Sequence, residues 1–151
     1  MRGWLLDTNV VSEPVRPNPD ARVLAWLSAL PNDRTFISIL TIGEIGKGIE
    51  ALRPDDGRRS KLSAFRGLLE ARFVGRVLSL DDDVVRTWGA MTGRYRREFG
   101  GEAHAVDALL AATAERNRLY LATRNVRDVR ALATPAFNPW TDDPAAFPIQ
   151  L

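Results

Sequence analysis

A chain of 151 residues, 45% hydrophobic and 26% charged, has the make-up of a single soluble domain spanning 1–151, and it is long enough to bury roughly two-thirds of its unfolded surface. The absence of cysteine and the single histidine, His104, exclude disulfides, cysteine nucleophiles and thiolate or multi-histidine zinc sites, so any metal is a hard cation held by oxygen. The net charge is +2, only Lys47 and Lys61 of the 21 basic residues are lysine, and no apolar run nears the roughly 20 residues of a membrane span.

The apolar start of the chain stops at Asp7, too soon for a secretory leader, and a cytoplasmic location is expected. "WLL" (4–6) reads as a short buried strand. "PDARVLAWLSALP" then carries Val23, Leu27 and Leu30 at helical spacing, with Pro19 and Asp20 at its start and Pro31 as its stop. "RTFISIL" (34–40) is a β-branched strand. "TIGEIGKGIEAL" (41–52) puts Ile42, Ile45, Ile49 and Leu52 on one helical face, and glycines 43, 46 and 48 point to close approach of something bulky.

Beyond a polar turn, a helix faces inward with Leu62, Phe65, Leu69 and Phe73, and "RVLSL" (76–80) is a third strand. The next helix opens on "DDD", where the dipole favours acids, and aligns Val84, Trp88, Met91 and Tyr95. "EAHAVDALLAATAERN" (102–117) is a helix and "LYLAT" (119–123) a strand, while "FNPW" and the proline-rich tail form an extended end that packs by its aromatics. Strands alternating with helices imply a largely parallel sheet covered on both faces, with sites at the carboxyl ends of the strands.

Three carboxylates stand out. Asp7 ends the first strand, where it is either a turn or capping residue or a ligand. Glu44 follows Thr41 by three positions, the spacing of a capping box, and Lys47 is a second bland partner for it. Asp107 interrupts a helix that is apolar or small nearly all round, so its charge calls for His104, a distant arginine or a metal. "LATRNVRDV" repeats the strand-then-polar pattern with Thr123, Arg124 and Asn125, and Asp128 a turn later; its bland reading is turn chemistry. Clustered carboxylates repel one another, and a divalent cation between them resolves the conflict.

"LLDTNVVSE", "SILTIGEI", "VDALLAATA" and "LATRNVRDV", in this order and over nearly the whole chain, resemble PIN-domain proteins of the VapC toxin type, in the FitB-like branch. The resemblance implies a PIN-like three-layer α/β fold with a parallel five-stranded sheet flanked by helices. It also implies a Mg2+- or Mn2+-dependent endoribonuclease restrained by a small antitoxin, a homodimer and larger toxin-antitoxin assemblies. The family's acidic positions fall on Asp7, Glu44 and Asp107, as catalytic residues and metal ligands. Its fourth position falls on Asn125, with Asp128 close behind; the asparagine is a departure that removes one negative charge. Thr8, Asn9, Thr123 and Ser38 match small polar residues lining the family's site.

On this reading the metal activates water for in-line attack on RNA phosphorus, with Arg124 meeting a neighbouring phosphate. "RYRREF" offers Tyr95 and Phe99 for stacking and Arg94, Arg96 and Arg97 for phosphates, although Tyr95 lies on the core stripe and its packing there is the favoured reading. A doubly wound receiver domain is the rival of another class. It needs adjacent acids after the first strand and a late lysine, which this chain lacks. A further alternative is a catalytically weak PIN fold serving in a DNA-bound toxin-antitoxin repressor complex.

Overall fold

The computed structural model describes residues 1–150. Within them, strands β1 (Gly3–Leu6), β2 (Thr35–Ser38), β3 (Val77–Leu78), β4 (Leu119–Ala122) and β5 (Ala136–Phe137) form one parallel sheet in the order β3-β2-β1-β4-β5. The helices are α1 (Thr8–Val11), α2 (Ala21–Ala29), α3 (Ile39–Ala51), α4 (Arg58–Arg72), α5 (Asp82–Phe99), α6 (Ala105–Asn117) and α7 (Val126–Ala131).

Strand pleating sorts the core into two halves. Trp4 and Leu6 of β1 and Ile37 of β2 join Val10, Trp26, Ile45 and Leu69 from α1 to α4 on one face. Leu5, Phe36 and Leu121 point the other way, to Met91 of α5, Leu110 of α6 and Val129 of α7. Near-continuous apolar strands are what a sheet buried on both faces requires, and three layers result. The chain winds outward from β1 through β2 to β3, then returns to β4 on the opposite side of β1. Crevices open at the carboxyl ends of strands where the winding direction reverses in this way.

Several element boundaries differ from the sequence reading. The second strand ends at Ser38, not at residue 40, because the Ser38 hydroxyl accepts from the Leu40 N–H at 3.1 Å and starts α3 at Ile39. Thr41 is therefore inside the helix and buried, and no capping box joins it to Glu44. The third strand is only two residues long. The helix expected from residue 102 starts at Ala105, with His104 as its cap. Part of "FNPW" is not tail but strand: Phe137 belongs to β5 and packs 5.0 Å from Trp4 between ring centroids. Phe147, farther along, does pack by its ring, 5.3 Å from Tyr120.

The close approach expected at the three α3 glycines is not found, since a Cβ at Gly46 or Gly48 would stand at ordinary contact distance, 3.4 Å from Arg66 Nη1 or 4.0 Å from Leu62 Cδ1 on α4. Gly43 meets nothing comparable within 4 Å. The tightest glycine is Gly3, where a Cβ would overlap the Arg34 backbone carbonyl as β1 passes β2.

Candidate active site

Strand register explains where Asp7 stands. Leu6 pairs with Ala122, and the Asp7 N–H continues the ladder to the Ala122 carbonyl at 2.9 Å. Asp7 and Thr123 are thus neighbours at the carboxyl ends of the two central strands. Asp7 is 6% exposed. Its Oδ1 accepts from the Thr8 N–H at 2.7 Å and caps α1, while its Oδ2 accepts from Thr123 Oγ1 at 2.7 Å and Asn9 Nδ2 at 3.2 Å. Burial pushes the Asp7 carboxyl above the ordinary carboxylate range, and the Thr123, Thr8 and Asn9 donors pull against it. The capping role foreseen for Asp7 is real and occupies one of its oxygens.

Glu44 reaches the same place from α3. Thr8 Oγ1 donates to Glu44 Oε1 at 2.8 Å and lies 3.1 Å from Thr41 Oγ1, so α1 and α3 are tied by one hydroxyl. The bland partner Lys47 makes no ion pair with Glu44 among the described residues.

Asp107 lies in the first turn of α6 and is 8% exposed. Its Oδ2 stands 3.4 Å from His104 Nδ1, and the same nitrogen is 3.5 Å from the Asp107 N–H. Burial raises the Asp107 carboxyl first of all; His104 works in the opposite direction, and the charges of Asp7 and Asp128 raise it further. Three separate elements therefore place acids close enough for Asp7 and Asp128 to disturb Asp107. Of the partners weighed for Asp107, His104 is present, and no arginine forms an ion pair with it among the described residues.

The segment after β4 is ordered by Thr123, whose Oγ1 also accepts from the Asn125 N–H at 3.1 Å. Asn125 precedes α7 without a side-chain cap bond, and Asp128 sits in the first turn of that helix. The exposed Arg124 lays its guanidinium over Trp140, 4.8 Å from the ring centroid, and its backbone N–H donates to Asn9 Oδ1 at 3.4 Å. Tyr95 packs against the core on the α5 stripe and is 4.7 Å from Phe99, in line with the favoured reading, while Arg96 is paired with Glu102 at 3.1 Å.

Asp7, Glu44 and Asp107 all line one open cleft of about 290 Å3, together with Thr8, Asn9 and Asn125. Thr123 is fully buried beneath it. Asp128 is on the far side of Asp107, in an adjoining hollow of about 230 Å3 that also contains Glu102 and His104. Ser12 and Arg16 line the main cleft as well, and the sequence reading passed over both. The available signal was "SEPVRP", an arginine set between two prolines and three residues after a glutamate.

The donor set facing the cleft is almost entirely oxygen, which suits magnesium or manganese. Among the described residues no three acidic or histidine side chains stand close enough to form a ready-made ion cage. Magnesium does not need one, since it takes one or two carboxylates and keeps waters or phosphate oxygens for the rest. Asp7 and Asp107, both pushed toward protonation by burial, are the pair a cation would relieve.

Comparison with known proteins agrees with this architecture. A family model described as "PIN domain" matches residues 4–133. The toxin FitB of Neisseria gonorrhoeae is 36% identical over 91% of this chain and 99% of its own length. The VapC ribonuclease Y4jK of Sinorhizobium fredii is 30% identical over 90% of this chain and 96% of its own. Among solved structures, FitAcB from Neisseria gonorrhoeae superposes with a TM-score of 0.80 at 35% identity, covering 91% of this chain and 98% of that one. The structure of FitAB bound to an IR36 DNA fragment gives 0.83 at 33% identity, covering 93% and 97%. With the family model spanning most of the chain and relatives of this identity aligned nearly end to end, the protein belongs to the PIN-domain family.

Proposed function

We propose that this chain is the toxin of a type II toxin-antitoxin pair and a metal-dependent endoribonuclease that hydrolyses phosphodiester bonds of RNA in the cytoplasm. The observation that carries the reading is the meeting of Asp7, Glu44 and Asp107, from three separate elements, in one cleft at the carboxyl end of the sheet. Kinship with proteins named toxin FitB and VapC ribonuclease supports the substrate class, and the FitAB and FitAcB structures support a small antitoxin as partner. A homodimer is part of the same proposal.

Asp7 and Asp107 would hold a magnesium or manganese ion, with Glu44 directly or through water. Such an ion supplies a lowered pKa for attacking water and a counter-charge for the phosphate in the transition state. The protein's share is orientation. Thr123 and Asn9 fix the Asp7 Oδ2, and Thr8 fixes Glu44 Oε1, so neither carboxylate has to be frozen when substrate arrives. Asn125 brings an amide in place of a fourth carboxylate, which leaves one less negative charge to repel RNA.

The test is cleavage of total bacterial RNA by the antitoxin-free protein in Mg2+, Mn2+ and EDTA, beside Asp7→Asn. Discrete fragments that need metal and vanish in the variant are expected. Cleavage that persists in EDTA or in the variant overturns the site assignment. The FitAB complex with DNA favours one second reading, a catalytically weak partner within a DNA-bound repressor. Antitoxin binding with no metal-dependent cleavage would select it.

A further inference from the structure

We propose that Arg16 is the residue that receives an RNA phosphate flanking the scissile bond, and that the buried Glu13 is the positioning residue that holds it ready. The inference rests on the ribonuclease reading for its substrate and on separate geometry for its site. Asp7, Glu44 and Asp107 make the cleft anionic, and a polyanionic substrate needs a cation on its rim. Among the described residues, Arg16 is the one arginine or lysine lining that cleft. Arginine is the side chain whose planar fork matches a phosphate with two parallel hydrogen bonds.

Arg16 is held away from the acids it faces. Among the described residues its ion pair is with Glu13, outside the cleft lining, at 3.7 Å from Nε to Oε2. An arginine free to fold inward would settle on the cleft carboxylates and neutralise them, so this restraint keeps them open to a cation. Glu13 is only 4% exposed, a rare state for a glutamate. Its Oε1 accepts from the Asp20 N–H at 2.9 Å, but its Oε2 is buried without a hydrogen bond. A buried carboxylate oxygen in that condition is costly, and the guanidinium charge is its nearest compensation.

The mount is stiff. Glu13–Val15 form a single 310 turn with Pro14 in its first positions, and the Arg16 N–H closes it on the Glu13 carbonyl at 3.1 Å. Pro17 restricts the residue before it to extended backbone, which Arg16 adopts with φ −77° and ψ 156°. The side chain nonetheless remains 51% exposed, which leaves it open to an approaching phosphate. A stiff backbone with an accessible head group lowers the ordering cost of binding.

The experiment measures binding of a fluorescein-labelled, mixed-sequence RNA 20-mer across a NaCl series in Mg2+. The protein carries Asp7→Asn so that the RNA survives, alone or with Arg16→Ala, Arg16→Lys or Glu13→Gln. Arg16→Ala is expected to weaken binding about tenfold at low salt and to reduce the slope of log K against log salt by about 0.7, the share of one phosphate on a single strand. Arg16→Lys should restore the slope, and Glu13→Gln should weaken binding while leaving the slope in place, because the arginine charge is still there. Affinity and slope in Arg16→Ala equal to those of the Asp7→Asn parent, or no RNA binding by that parent, overturns the proposal. Cleavage by the Asp7-intact protein is followed separately. If it is absent while the Arg16 effect on binding stands, the ribonuclease reading fails and the phosphate site survives.

Discussion

Thr123 Oγ1 donates to Asp7 Oδ2 at 2.7 Å and accepts from the Asn125 N–H at 3.1 Å, so one buried hydroxyl joins the ends of β1 and β4 to the segment entering α7. Because the bond to Asp7 favours the ionised carboxylate, Thr123 acts against the burial that raises it. Thr123→Val keeps the shape and loses the hydroxyl. Divalent-ion affinity, measured by Mn2+ calorimetry, is expected to fall about tenfold or more, as for other outer partners of metal ligands. Stability should drop by about 1–2 kcal/mol, since the Asn125 N–H also loses its acceptor. Unchanged Mn2+ affinity would show that Asp7 needs no help from Thr123.

The raised Asp7 carboxyl has a pH signature of known sign. Between the ordinary value of 3.8 and its higher folded value, the folded chain retains a proton that the unfolded chain has lost. Stability from this group therefore falls as pH rises through that window and settles at its lower level above it. Asp7→Asn removes the effect. In EDTA, the Tm of the variant minus that of the parent should grow as pH rises above the ordinary carboxylate value, and Mg2+ should raise the parent's Tm more at the higher pH. A Tm difference that is flat with pH would contradict the burial argument.

What the sequence could show followed from pattern. Asp107 stood out because an acid inside "HAVDALLAATA" has no lysine or arginine one turn away on its helix, and its burial is present. Asp7 stood out because an apolar strand ended on it. The start of α3 was misread because Ser38 and Thr41 are both good capping residues, and only the packing of Thr41 into the interior selects Ser38. β5 escaped notice because two residues carry no period, and its place is set by pairing with β4. Arg16 and Glu13 were hidden in a proline-rich loop, where burial of a glutamate has no local signature.

Gly3 is a structural requirement of the sheet. A Cβ there would collide with the Arg34 carbonyl, and backbone on both sides leaves no flexible side chain to move aside. Gly3→Ala is expected to cost about 2–3 kcal/mol in chemical denaturation, by forcing β1 from the backbone entering β2 at the end of the sheet opposite the site. Gly43→Ala, which meets no neighbour within 4 Å, serves as the control and should gain stability through better helix propensity. Equal effects at the two positions would refute the close approach.

Asn125 lines the cleft beside Asp7, Glu44 and Asp107. Asp7 and Asp128 already raise the Asp107 carboxyl, so Asn125→Asp adds like charge to groups that are partly desolvated. In EDTA at neutral pH the variant should be less stable by about 1 kcal/mol, read from denaturant melts. With Mn2+ the balance reverses, because cation affinity grows with the number of charged ligands. Calorimetry should then show tighter binding than in the parent, with a second ion tested by the stoichiometry. A variant matching the parent in both EDTA stability and Mn2+ affinity would place the position 125 side chain outside the field of the acids, and the missing charge would have no bearing on the site.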